Sequence, residues 1–238
     1  MRHKLILLGF FVAMSTTLFS QTKYNDYSVF SDNVQVDPWA GTAKVLVYLP
    51  ADYKTHSYPV FWFWNGLGED SGPVSQLAKW GPFAFVGKDW QPNFIVLAVQ
   101  GLEWKNQETT DSVYARLKRR YNFGQIVASG LSAGGYGVTR LASFFPSASV
   151  TKDLVAIIPM STSEGFGTTA VAPVIASGIG VWGFGDDPGD VHGINTHNFM
   201  NALQAKNSSA AYRWTNMKPR GHGGWNDYYN PKWKDVDG

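Results

Sequence analysis

Ser132 stands in "GLSAGGYG", residues 130–137, where glycines flank it at the two positions a nucleophilic serine needs. A serine hydroxyl attacks a carbonyl only when a sharp strand-to-helix turn exposes it and small neighbours leave the strained backbone room. Gly130 and Gly134 supply that room, and Gly135 and Gly137 keep the start of the following helix slim. In the plainer reading, Ser132 caps a helix in a glycine-rich turn. The hydroxyl is a weak nucleophile until a base takes its proton, so a histidine is required. Of the five histidines, His3 lies in the leading segment and His56 in an early connector. His192 and His197 sit near a helix, and His222 falls in "PRGHGGWNDYYN" after the last strand. Only His222 satisfies the chain order nucleophile, acid, histidine with the histidine in a loop after the final strand.

The acid must lie between them, just past a strand end, where a buried carboxylate can fix the imidazole tautomer. "GFGDDPGDVHG" offers Asp186, Asp187 and Asp190. Asp187, two residues past Gly185, is preferred, and Asp190 is the alternative. The plainer reading is a solvated turn, or a cation site with His192; the chemistry itself calls for no metal and no cofactor. Two backbone N–H groups must hold the developing oxyanion. Ala133 follows the serine and gives one, and Leu67 in "WNGLGED" gives the other. Trp64, Trp104, Trp182 and Trp225 fall near predicted loop ends. Core or rim packing is the commoner role for such rings, and stacking on a substrate is the alternative, offered for Trp64, Trp104 and Trp225.

Positioning these groups requires strands that end beside one another. "AKVLVYLP" (Ala43 to Pro50) alternates and is β-branched, while "PVFWFWNG" (Pro59 to Gly66) and "NFIVLAVQ" (Asn93 to Gln100) are almost continuously apolar, as strands covered on both faces are. Gln125 to Ser129 reads as a strand and Ala133 to Phe145 as a helix stopped by Pro146, which puts Ser132 at their junction. Lys152 to Met160, Gly178 to Gly185 and Ala210 to Met217 read as further strands. Helices are predicted at Ser75 to Trp80, from a capping Thr110 through Arg120, and at Ile194 to Lys206. Ser161 to Pro173 reads as irregular. Strands alternating with helices give an α/β class with a mostly parallel central sheet covered on both faces.

The chain has 238 residues, no cysteine, and a formal charge of +2. Residues 1–20 carry Arg2 and Lys4 ahead of the apolar run Leu5 to Met14, too short to span a bilayer, and read as a secretory signal peptide. Removing them leaves a formal charge of 0, because Arg2 and Lys4 go and no acid does. A single domain over residues 21–238, secreted or periplasmic, is therefore expected. Nothing in its charge favours nucleic acid, and no membrane contact is expected after signal removal. Without disulfides the domain must rely on its core.

Taken together, "VYLPADY", "YPVFWFWNGLGE", "GLSAGGYGVTRLASFFP" and "GHGGWNDYY" resemble the α/β-hydrolase superfamily. The likeness is to its small secreted branch of esterase D, feruloyl esterase and polyhydroxybutyrate depolymerase-like enzymes and related predicted peptidases, and it runs from about Val45 to Asn230. The resemblance implies a three-layer fold without a large lid domain and a serine esterase working through an acyl-enzyme. Acyl esters on plant polysaccharide, feruloyl or acetyl, are the leading substrate class. A peptidase or acyltransferase of the same superfamily, or a non-catalytic carbohydrate-binding scaffold, is the alternative. Three departures stand out. Asn65-Gly66 replaces the usual His-Gly of the oxyanion loop, Pro188 falls where the usual spacing puts the acid, and the chain stops soon after the histidine loop.

Overall fold

Strands apolar at every position need cover on both faces, and the two most apolar segments lie at the centre of one sheet. The computed structural model describes residues 22–23, 29–37, 41–145, 147–162, 166, 169–208, 211–217 and 219–234. The signal-peptide reading of residues 1–20 lies outside them. The described strands are β1 (Thr22–Lys23), β2 (Val29–Asp37), β3 (Gly41–Tyr48), β4 (Val60–Trp64), β5 (Ile95–Val99), β6 (Ile126–Leu131), β7 (Leu154–Met160), β8 (Gly180–Gly185) and β9 (Tyr212–Asn216). They form one sheet in the order β1-β2-β3-β5-β4-β6-β7-β8-β9. Pairing is antiparallel from β1 to β5 and parallel from β5 to β9. The expected mostly parallel α/β sheet is thus present.

Period-two alternation splits each central strand between two cores. Val60, Trp62 and Trp64 enter a cluster with Val113 and Leu117 of α1 (Gln107–Tyr121) and Val138 and Leu141 of α2 (Ala133–Phe144). Phe199 and Leu203 of α4 (Val191–Lys206) close the same side, with the short α3 (Val171–Ser177) between. Phe63 points the other way, into a cluster with Leu77, Phe83, Trp225 and Tyr229, the last two from α5 (Trp225–Tyr229). Two faces, each with its own helical cover, make the three layers. No separate domain overlies the strand ends among the described residues, and no described helix is long and apolar enough to cross a membrane.

Strand order reverses at β4: β5 pairs on one side of it and β6 on the other, so a crevice opens at the carboxyl ends of β4 and β6. Such switch points are where open α/β sheets bind ligands.

Several elements depart from expectation for identifiable reasons. α1 starts a turn earlier than Thr110, because Asn106 caps it by accepting from the Thr109 N–H at 2.9 Å. Thr110 is buried instead, its hydroxyl donating to the Asn106 carbonyl at 3.0 Å. β2 carries Ser31, Asp32 and Asn33 in its middle, which hides its strand character. Asp32 is nonetheless buried, held by Arg120 at 3.0 Å and by the Tyr121 hydroxyl at 2.7 Å. α3 begins at Val171, inside the segment read as irregular, and tolerates Pro173 because its first turn needs no N–H there. Ser75 to Trp80, read as a helix, is a 3₁₀ segment at Val74–Ala78.

Candidate active site

The turn between β6 and α2 places Ser132 at φ 53° and ψ −118°, a conformation that L residues rarely adopt. Such a residue costs about 1–3 kcal/mol and persists only where its surroundings over-determine it. Here they do: the Ser132 N–H donates to the Met160 carbonyl at 2.8 Å, and the Ser132 carbonyl accepts the first α2 bond from Tyr136 at 3.1 Å. The flanking glycines are required by contact. A Cβ on Gly130 would lie 2.3 Å from the Gly134 backbone, and one on Gly134 would lie 2.1 Å from the Trp64 carbonyl oxygen. The second contact also presses the start of α2 against the end of β4, so the loops after β4 and β6 abut.

At the solvent-facing side of this turn, Ser132 Oγ is 2.9 Å from His222 Nε2. His222 Nδ1 is 2.9 Å from Oδ2 of Asp190. A carboxylate can only accept, so Nδ1 carries the proton and Nε2 presents its lone pair to the hydroxyl. Asp190 is almost fully buried, whereas the His222 side chain is about one-third exposed (4% against 35%). Burial pushes the Asp190 carboxyl up. The hydrogen bonds from His222 and from the His192 N–H, with the charges of those two imidazoles, more than offset this and hold it below the usual aspartate range. The same carboxylate caps α4, accepting from His192 N at 3.1 Å and Gly193 N at 3.2 Å.

Asp187, the preferred acid, is turned elsewhere. Its backbone is locked to the Asn216 side chain in both directions, by a donated bond of 3.1 Å and an accepted one of 2.7 Å. Its carboxylate meets His197 Nδ1, on a ring stacked 4.6 Å from Trp214. The structure therefore brings together Ser132, His222 and Asp190, and leaves Asp187 out. Asp186 has a role that the sequence reading did not give it. Its buried Oδ2 accepts from Arg220 N at 2.7 Å and Gly221 N at 2.8 Å, tying the acid loop to the histidine loop. A usable signal was present, since starting α4 at Val191 instead of Ile194 makes Asp190 its N-cap.

On the other side of Ser132, Ala133 opens α2 and Leu67 opens a 3₁₀ turn at Leu67–Glu69. First-turn N–H groups have no intrahelical acceptor, and both lie at the ends of the abutting strands β4 and β6. The loop after β4 is braced without a histidine: Asn65 Nδ2 donates to the Gly66 carbonyl at 2.8 Å, and Gln100 Nε2 donates to the carbonyls of Glu69 and Ser71 at 3.0 and 2.9 Å. Glu69 is buried there and its carboxyl is pushed up, chiefly by burial.

Of the proposed stacking rings, only Trp104 is open to solvent, 43% exposed and 5.1 Å from the Tyr136 ring. Trp64 is core, pressed on Gly137, and cannot reach a substrate. Trp225 is buried edge-on against His222 at 5.1 Å and supports the imidazole instead. Trp182, half-buried on β8, lies under the Arg213 guanidinium at 4.7 Å. Trp80, not anticipated, packs edge-to-face on Trp225 at 5.7 Å. Asn226 holds the Trp80 loop by accepting from Gly81 N at 2.8 Å and donating to the Lys79 carbonyl at 3.2 Å.

No family model matches the sequence, and no curated protein matches it. Solved structures do. A thermostable esterase superposes with a TM-score of 0.60 at 22% identity, over 84% of this chain. The feruloyl esterase module of Clostridium thermocellum, complexed with sinapinate, gives 0.61 at 12% identity over 88% of this chain and 91% of its own. The chain folds as an α/β-hydrolase. A poly(aspartic acid) hydrolase from Sphingomonas sp. KT-1 gives 0.56 at 12% identity, covering 81% of this chain and 93% of its own. The chain spans just over half, 57%, of the length of the thermostable esterase. β6 and α2 flank Ser132, and the loops after β8 and β9 carry Asp190 and His222.

Proposed function

We propose that the chain is a secreted or periplasmic serine esterase whose triad is Ser132, His222 and Asp190. The observation that carries this reading is the unbroken hydrogen-bond line from Ser132 Oγ through the imidazole to a buried carboxylate, 2.9 Å at each step. In the reaction, His222 Nε2 takes the hydroxyl proton as Ser132 Oγ attacks the ester carbonyl, and the Ala133 and Leu67 N–H groups receive the oxyanion. The protonated imidazole, held by Asp190, then gives its proton to the leaving alcohol. Water activated by the same nitrogen releases the acid and restores the enzyme. Asp190 keeps its charge throughout.

Acyl esters of plant polysaccharide, feruloyl or acetyl, are the proposed substrates. The feruloyl esterase module among the structural neighbours supports that class, as do the absence of a lid domain among the described residues and the exposed Trp104 beside Tyr136. Initial rates on aryl acetates, feruloyl esters and acetylated xylan test it. Turnover of feruloyl or acetyl-xylan esters is expected to exceed that of a simple aryl ester at equal concentration. Turnover of the aryl ester alone would reject the polysaccharide class, and transfer to added alcohol in preference to water would make the protein an acyltransferase.

A further inference from the structure

Beside the triad stands a third titratable side chain that the reaction does not use. His192, in the first turn of α4, lies ring to ring with His222 at 4.5 Å between centroids. Its Nδ1 is buried and has no hydrogen-bond partner. Asp190, His192 and His222 each offer one ligand atom, all within 4.8 Å of one another. An unsatisfied buried nitrogen is costly in a site of charged and polar groups unless something else meets it.

We propose that Asp190, His192 and His222 form an inhibitory site for a divalent transition-metal cation of the zinc class. Zn²⁺ takes imidazole nitrogen and carboxylate oxygen at about 2.0–2.2 Å, which sets tetrahedral donors about 3.3 Å apart. The Asp190–His222 pair is already at 2.9 Å, and the three ligand atoms lie within 4.8 Å of one another, so the remaining approach is at most about 1.5 Å. A water completes four-coordination. The Asp190 carboxylate supplies the charge that offsets the positive end of α4.

Binding removes the base. The ion replaces the proton on His222 Nδ1, the nitrogen facing Asp190. That proton moves through solvent to Nε2, and an N–H there can no longer accept the proton of Ser132. No redox change occurs. The one-third exposure of the His222 side chain gives the ion a route in. This inference rests on the triad reading only for its effect on activity; the site itself is a claim about three ligands.

The test is a ZnCl₂ titration of the purified full chain near neutral pH. It is read by aryl acetate hydrolysis and, independently of turnover, by isothermal titration calorimetry, for the parent, His192→Ala and His197→Ala. Expected are one zinc per chain, inhibition by micromolar zinc that a chelator reverses, and an unaltered response in His197→Ala. His192→Ala, still folded by circular dichroism and still turning over ester, should need at least the roughly 10- to 100-fold more zinc that losing even a supporting partner of a metal site costs. Equal zinc affinity in His192→Ala and the parent, or no calorimetric binding to the parent, overturns the proposal. Zinc binding that depends on His192 in a chain without turnover would leave the metal site standing and reject the esterase reading.

Discussion

The aspartate that His222 meets also caps a helix, and that double duty fixes which of the three aspartates faces the imidazole. Asp190 accepts two backbone N–H groups of α4, so its carboxylate is fixed before the imidazole arrives. Asp187, three residues earlier, spends its carboxylate on His197. Asp190→Asn keeps the shape and presents an amide that favours the wrong imidazole tautomer, so kcat should fall by about 10⁴. Asp187→Asn should leave kcat within the same order of magnitude. Parallel measurement of ester turnover in the two variants checks this, and a larger loss in Asp187→Asn would restore that residue as the acid. That Ser132 and His222 come together was legible in the sequence, because a glycine-flanked serine and a histidine after the last strand are both local patterns. Which aspartate meets His222 was not, because three aspartates within five residues differ only in which way the turn points them, and tertiary hydrogen bonds set that.

At the scale of the element, the β6–α2 turn concentrates strain on one residue. The Ser132 conformation is the mirror image of an extended one, open to glycine and costly to any residue with a Cβ. Ser132→Gly and Ser132→Ala both remove the nucleophile, but only the first relieves the strain. Against a conformational-entropy cost of roughly 0.5–1 kcal/mol for glycine, relief of about 1–3 kcal/mol leaves Ser132→Gly more stable by about 1 kcal/mol. Denaturant melts of the two variants decide it, and a glycine variant no more stable than the alanine one would show that the turn is not strained. The elements of the sheet's centre were readable because continuous apolar runs have few alternatives. β2 was not, since its buried Asp32 is paired with the Arg120 guanidinium and accepts from the Tyr121 hydroxyl, both from a helix far along the chain. α5 has only five residues, too few for a helical period to register.

For the molecule as a whole, the fold that positions the site also buries a carboxyl whose charge is only partly offset, by Lys105 among others. Glu103, in the loop after β5, is 1% exposed, and neither carboxylate oxygen has a hydrogen-bond partner. Burial, the largest influence, pushes its carboxyl from 4.5 up to about 7. A folded-state value raised above the unfolded one means that the native state holds the proton more tightly. Stability is then full below about 4.5 and falls by up to about 1.4 kcal/mol per pH unit until about 7, where the penalty levels off. Glu103→Gln, a neutral isostere, should raise the melting temperature at pH 8 and leave it unchanged at pH 4; an equal gain at both would show that charge burial is not the cause.

An activated Ser132 reacts with a fluorophosphonate, and peptide mass spectrometry locates the adduct. One label per chain, carried on Ser132, is expected, together with its loss in His222→Ala at the same exposure. A folded parent protein that takes up no label, or takes it up on another residue, would contradict it.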